Sequence, residues 1–372
     1  MIPVNEPLIS TNASKYIQDC LDSGWVSSAG EYINRFEKSF SNFIGTKYAV
    51  TTTSGTSALH LALASMGIGP GDEIIMPDLT IISCALAPIY LGAKPVMVDV
   101  EYPTGNIDPA KIEKKITKRT KAIMVVHLYG HSANLEAILK ISKKYKIPII
   151  EDAAEAHGAV LKIDGVWKKV GSIGEVSCFS FYGNKIVTTG EGGMVLTNSP
   201  KIFDKACLLK DLAHVPGERF LHREIGYNFR MTNLQAALGL AQLEEVNKYV
   251  KKKRWMARLY TEGLKEVDFL EIPKEAPYAK SVYWMYAPRV KKDARITREE
   301  LCRKLKERGV DTRTYFIPLH LQPVLKKLKL SKGNYLVSTD LSQRGFYLPS
   351  GLAITEKQIN QVVSAIKEIA KN

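Results

Sequence analysis

Two short segments hold the residues best suited to chemistry. The first is Ile149-Ile150-Glu151-Asp152-Ala153-Ala154-Glu155-Ala156-His157-Gly158. The second is Cys178-Phe179-Ser180-Phe181-Tyr182-Gly183-Asn184-Lys185, followed by Thr188-Thr189-Gly190-Glu191-Gly192-Gly193. One apolar run brings Asp152 to the end of an expected buried strand, and another brings Ser180 and then Lys185 to a Gly-rich turn. An amine emerging there is desolvated, and its affinity for a proton falls. Such an amine can condense with an aldehyde, while a carboxylate beside it can hold a proton on an aromatic ring nitrogen. One acid and one amine at strand ends in one pocket are what pyridoxal phosphate chemistry requires.

The elements that must position them follow from apolar periodicity. Continuous apolar strands are expected at Tyr48–Thr51, Glu73–Met76, Ala93–Val100, Ala122–His127, Pro148–Glu151, the run into Ser180, and Gly192–Thr197. Amphipathic helices at Ala58–Met66 and Leu135–Tyr145 lie between them. That alternation predicts an α/β fold with a mainly parallel sheet buried on both faces. Helices are also expected at Ala13–Leu21 and Glu31–Ile44, with a small-residue loop between. A long helix from Asn233 through Leu259 would lead into a smaller domain. There the pattern predicts strands at Ser281–Val290 and Val310–Phe316, a helix at Thr297–Glu307 and a terminal helix after Thr355. The expected division is a large domain over 1–245, with segment 1–30 near the active site, and a small C-terminal α/β domain over 246–372.

Ser54-Gly55-Thr56-Ser57 sits between a strand and a helix. Glycine there allows close approach, the hydroxyls add donors, and the helix N-terminus favours a phosphate dianion. Taken singly, each residue has a plainer reading: Ser-Gly-Thr turns are common, and Asp152 could be a helix cap or a surface ion-pair partner. His157 reads equally well as a core histidine.

Taken together, the blocks at Asp152, at Cys178 to Gly193 and at Gly226-Tyr227-Asn228-Phe229-Arg230-Met231-Thr232-Asn233 resemble the DegT/DnrJ/EryC1/StrS sugar aminotransferases. The resemblance runs from Ile2-Pro3-Val4 to Leu348-Pro349-Ser350. It implies the aspartate-aminotransferase-like fold (PLP-dependent fold type I) and pyridoxal 5'-phosphate as cofactor. It assigns Lys185 as the catalytic lysine; some dehydratase relatives carry histidine there, so Lys185 argues for transamination. Asp152 would face the ring nitrogen and Glu155, where much of the family has glutamine, the ring hydroxyl. Ser54, Gly55, Thr56 and Ser180 would hold the phosphate. Asn228 would reach the cofactor phosphate of the partner subunit, making a homodimer with shared active sites. The ring-covering segment Pro77–Ala85 offers leucine and isoleucine where many relatives have an aromatic residue, and Ile81 is the candidate. Substrate contacts are expected from Trp25, His127, Tyr129, Arg313, Tyr315 and His320. The implied substrates are L-glutamate and a nucleotide-linked 4-keto-6-deoxyhexose aminated at C4, with GDP preferred over dTDP or UDP. A non-catalytic nucleotide-sugar binding protein on the same scaffold is the reading from another class.

Composition narrows the remaining classes. The chain has 372 residues, enough for more than one core, with 45% hydrophobic and 24% charged residues. The net charge of +14 would permit nucleic-acid binding. The lysines are dispersed, however, without the interleaved aromatics that stack on bases, so a solvated surface and a basic diphosphate pocket are favoured. No apolar run approaches the ~18 residues that span a bilayer. The start, Met1-Ile2-Pro3-Val4-Asn5-Glu6, lacks a signal-peptide pattern. Five scattered cysteines with no C-x-x-C pair suggest reduced thiols in a cytoplasmic protein, not a metal site.

Overall fold

The structure, a computed structural model, describes residues 1–215 and 217–371. Helices α1 (Asn12–Ser23) and α2 (Glu31–Ile44) precede strand β1 (Tyr48–Thr52) and helix α3 (Gly55–Ser65). Then come β2 (Glu73–Pro77), α4 (Ser83–Tyr90), β3 (Lys94–Val98), a short α5 (Pro109–Ile112), β4 (Thr120–Val126), α6 (Leu135–Tyr145) and β5 (Ile149–Asp152). A small hairpin, β6 (Val160–Ile163) and β7 (Val166–Lys169), separates these from β8 (Val176–Ser180) and β9 (Gly193–Thr197). The central sheet has seven strands in the order β1-β9-β8-β5-β4-β2-β3. All its neighbours pair parallel except β9, which runs against both β1 and β8.

Every residue of β2, β5, β8 and β9 is buried. Both faces of the sheet are therefore covered, which is why these strands read as unbroken apolar runs. Six strands end on one edge, and there the chain turns from β1 into α3, from β5 into Ala153, and from β8 into the Lys185 loop. That carboxyl edge is where open α/β sheets bind ligands.

Helix α2 buries Tyr32, Ile33, Phe36, Phe40 and Ile44. Phe40 meets Phe179 and Phe181, with ring centroids 4.9 and 5.2 Å apart, so the helix packs on the strand that leads to Lys185. Its N-cap Gly30 has φ +145°, and a Cβ there would lie 2.3 Å from the Asn233 side chain. Asn233 Oδ1 accepts from Tyr32 N–H and its Nδ2 donates to the Trp25 carbonyl, fixing the 24–30 loop.

Beyond the sheet, α7 (Pro200–Lys210) and the paired short strands His214–Val215 and Glu218–His222 lead to α8 (Asn233–Glu244) and α9 (Val246–Leu264). The single long helix expected from Asn233 is thus two, interrupted at Glu245, whose φ −97° and ψ 0° leave the helical region. The break separates α8, buried on nearly all sides, from the Lys-rich α9 with one buried face. Helices α10 (Arg298–Glu307), α11 (Pro323–Lys327), α12 (Leu336–Arg344) and α13 (Glu356–Lys371) complete the chain. Tyr260 and Leu264 of α9 pack with Leu301, Leu305, Ile359, Val362 and Ile366 in a cluster of their own.

Two expected strands are mostly irregular. Of Ser281–Val290 only Arg289–Val290 is a strand, paired with Leu270–Glu271. Its apolar residues are buried, but its backbone bonds go elsewhere: Val282 N–H to the Gly130 carbonyl and Tyr286 N–H to Ser350 Oγ. Of Val310–Phe316 only Arg313–Thr314 is a strand. Burial without a ladder gives the same sequence pattern as burial within one.

Candidate active site

At the carboxyl edge of the sheet lies a cavity of about 290 Å³. Its floor comes from the ends of β4, β5 and β8, one wall from the start of α3, and the other from Trp284, Phe316 and Tyr347. Eight of the expected cofactor residues border it: Ser54, Gly55, Thr56, Ile81, Asp152, Glu155, Ser180 and Lys185.

Lys185 stands in the turn after β8, its N–H bonded to the Tyr182 carbonyl. Its side chain is 10% exposed. The ammonium nitrogen lies 3.7 Å from the centre of the Trp284 indole and 3.8 Å from Glu155 Oε1. Burial lowers the amine's affinity for a proton, opposed by the Glu155 and Asp152 carboxylates. Burial pushes Glu155 up to about 7, while the Lys185 charge and the Tyr129 N–H pull the other way. Both shifts express the same fact: this pair is poorly solvated, so the charged form of each partner is disfavoured.

Asp152 is 3% exposed. Oδ2 accepts from the Cys84 thiol at 3.1 Å and Oδ1 from the Ala154 N–H at 3.1 Å. Burial raises the Cys84 thiol well above its ordinary range, so it remains a donor to Asp152. Glu155 is held by the Tyr129 N–H, 2.7 Å from Oε2. That bond needs Tyr129 at φ 52°, an unfavourable backbone conformation for a non-glycine residue.

The start of α3 is a capping box. Ser54 Oγ accepts from Ser57 N–H and Ser57 Oγ from Ser54 N–H. This satisfies two of the helix's free donors and leaves the N–H groups of Gly55 and Thr56 facing the helix end. Ser180 packs directly on Gly55, where an added Cβ would lie 2.7 Å from Ser180 Cβ. The cradle therefore needs glycine at 55.

These observations test the fit of pyridoxal phosphate. A helix N-terminus with two free N–H groups and the hydroxyls of Ser54, Thr56 and Ser180 suits a phosphate dianion. A carboxylate at the floor suits a ring nitrogen, and a desolvated amine between them suits an aldehyde. The residues present fit the group.

The expected substrate residues are less well gathered. His127 is sealed in the core, with Nε2 3.1 Å from Glu151 Oε2 and Nδ1 accepting from the Ala133 N–H. It cannot touch a ligand in this arrangement, because both nitrogens are used and no surface is exposed. Tyr129 lies behind the cavity wall, where its hydroxyl accepts from Phe316 N–H. Tyr315 is buried with its hydroxyl on the Ala287 carbonyl. His320 binds Asp78 through Nδ1 at 2.6 Å, outside the cavity lining. Trp25 and Arg313 are exposed and do not line it. Asn228 is also exposed, its Oδ1 accepting from Arg230 Nε. His157 sits among Phe40, Phe179 and Phe181, a core position.

Sequence reading missed Trp284 and Tyr347. Both lie in C-terminal segments far from the motif blocks, and only the tertiary fold brings them to Lys185. The one available signal was Trp284 inside the apolar Ser281–Val290 run. Ser83 was also missed; it accepts from Thr56 Oγ1 and extends the hydroxyl rim.

The DegT/DnrJ/EryC1/StrS aminotransferase family model matches residues 7–367. The GDP-perosamine synthase of Caulobacter vibrioides is 40% identical over 369 residues, covering 99% of this chain and 98% of that protein. The GDP-perosamine synthase of Vibrio cholerae is 40% identical over 367 residues, again covering 99% and 98%. Among solved structures, S. venezuelae DesV in complex with a ketimine intermediate is 32% identical with a TM-score of 0.90, covering 97% of this chain and 94% of that one. The chain belongs to the DegT/DnrJ/EryC1/StrS family and is a pyridoxal-phosphate-dependent sugar aminotransferase.

Proposed function

We propose that the protein transfers the amino group of L-glutamate to C4 of GDP-4-keto-6-deoxymannose, forming GDP-perosamine. The observation that carries this reading is the 40% identity to two GDP-perosamine synthases over 99% of the chain. A relative named dTDP-3-amino-3,4,6-trideoxy-alpha-D-glucose transaminase is 33% identical over 94% of the chain, which favours the GDP sugar over dTDP analogues.

When bound, pyridoxal phosphate supplies the electron sink that lets an amino group leave one carbon and join another. The chain's residues do the rest. The N–H groups of Gly55 and Thr56 and the Ser180 hydroxyl anchor the phosphate. The Asp152 carboxylate, oriented by Cys84 and Ala154, holds the proton on the ring nitrogen. Lys185 Nζ, desolvated under Trp284, accepts a proton from the reacting carbon and returns it, acting as general base and then general acid. Glu155 holds a proton beside it. Trp284, Phe316 and Tyr347 exclude water from the amine.

A panel of GDP-4-keto-6-deoxymannose, dTDP-4-keto-6-deoxyglucose and UDP-4-keto-6-deoxyglucose, each with glutamate, tests the substrate. The GDP sugar should turn over at least about tenfold faster, the scale that a few lost hydrogen bonds set. A faster dTDP or UDP reaction would reassign the nucleotide.

We further propose two domains, 1–245 and 246–372, supported by the separate packing of α9, α10 and α13. We also propose a homodimer whose Asn228 reaches the partner's cofactor phosphate, supported by Asn228 being exposed and outside its own cavity. Refolding Lys185→Ala chains with Asn228→Asp chains should then regenerate activity. One site of each heterodimer carries both lesions and the other carries none, so a statistical mixture should recover about a quarter of the parent activity. Demonstrated heterodimers without recovery would put Asn228 outside the partner's site.

A further inference from the structure

Lys253 is the least exposed lysine among the described residues, at 2% on α9. Its ammonium meets no carboxylate among them. It donates to two main-chain carbonyls instead, Trp284 O at 2.6 Å and Ser350 O. Burial with no compensating charge pushes it down to about 7. A buried amine on carbonyls alone is an expensive way to fill space that a methionine would fill.

What it holds explains the position. The carbonyl of Trp284 is fixed by Lys253, and the indole of the same residue lies 3.7 Å from Lys185 Nζ. The indole N–H donates to the Asn184 carbonyl at 2.8 Å, the residue directly before Lys185. Asn5 Nδ2 reaches that same carbonyl at 3.2 Å. No regular strand secures Trp284, since the segment 281–288 is irregular. The Lys253 bond to its carbonyl and the indole bond to Asn184 therefore fix its backbone and its ring, one each.

We propose that Lys253 is a positioning residue for the aminotransferase reaction, setting the Lys185 amine through Trp284. This rests on the proposed role of Lys185. With Trp284 in place the amine is kept from water, which favours its neutral, nucleophilic form. Without the anchor, water reaches Nζ, the charged form is favoured, and capture of an aldehyde slows.

The test compares the full-length protein with its Lys253→Met, Trp284→Phe and double variants. Each is stripped of cofactor and mixed with pyridoxal phosphate, and capture is followed by visible absorbance across pH. Lys253→Met should slow capture about tenfold near pH 7 and much less near about pH 11, above the ordinary lysine value, where the amine is neutral in either environment. Reloaded with cofactor, it should lose kcat in the glutamate half-reaction with KM within about twofold. The double variant should be no slower than the worse single variant, because both changes act on one ring. Capture unchanged at pH 7, a loss equal at both pH values, or additive losses would overturn the inference. So would failure of both Lys253→Met and Lys253→Gln to fold, which would make Lys253 a folding residue only. Lys185→Ala run alongside separates the two readings: if it still captures pyridoxal phosphate as the visible-absorbing adduct, the Lys185 assignment itself fails.

Discussion

Lys185→Ala should fold, lose the yellow colour of the loaded enzyme, and lose turnover by at least 10²–10⁴-fold, the range for a general base alone. The folding half of this expectation comes from the sign of the pKa shift. Burial lowers the Lys185 amine below its ordinary value. The unfolded chain therefore binds the proton more tightly, and at pH 7 the native state is penalised for holding this group. Stability arising from this lysine increases as pH rises toward its ordinary range. Removing the side chain removes the penalty at pH 7, so the melting temperature should hold or rise. Glu155 loses its nearby cation at the same time. Its carboxyl, already pushed up to about 7, should then take its proton more readily. Absorbance, melting temperature and turnover measured together separate a catalytic loss from a structural one. Turnover within tenfold of the parent protein would remove Lys185 from the reaction.

The parts of the site that could be read from sequence are those in which local and tertiary roles coincide. Ser54 caps a helix and borders the cavity at once, so its turn signature marked a residue with both positions. Asp152 and Ser180 end strands whose every residue is buried, and an apolar run ending in a polar residue is visible without a fold. The helix boundaries of α2 and α6 were equally plain, since each has one buried face. What could not be read depended on position in space alone. His127 directly follows β4 and Asp152 ends the adjacent β5, yet Glu151 points into the core and takes His127 as a partner. Tyr129 and Tyr315 were expected as substrate contacts and stand outside the cavity lining: one hydroxyl accepts from Phe316 and the other donates to Ala287. Two aromatic residues that reach the cavity unexpected, Trp284 and Tyr347, come from irregular chain and a two-residue strand. Neither has a period from which a facing direction could be inferred.

Asp152→Asn separates shape from charge at the cavity floor. The side chain has one oxygen facing the Cys84 thiol and the other facing the Ala154 N–H, each at 3.1 Å. Both neighbours are donors, so an amide in the same place must turn its NH₂ toward one of them. Either the thiol turns its proton to Thr80 Oγ1, 3.3 Å away, or the backbone N–H loses its acceptor, the latter a local cost of about 1–3 kcal/mol for a buried group. Cofactor should still bind, because the phosphate cradle proposed at Gly55, Thr56 and Ser180 lies on other elements. The larger loss is electrostatic. A neutral amide cannot hold a proton on a ring nitrogen in a poorly solvated cavity, and removing one preorganised charge partner typically costs on the order of 10²–10³-fold. The glutamate half-reaction, followed by bleaching of the visible band in a single turnover, should slow by that factor while the protein remains coloured. Colour retained with an unchanged bleaching rate would mean that some other acid serves the ring nitrogen. Of the buried carboxylates here, Glu155 lines the same cavity 3.8 Å from Lys185. An Asp152→Asn, Glu155→Gln pair would then reveal the substitution, since only the double change would abolish bleaching.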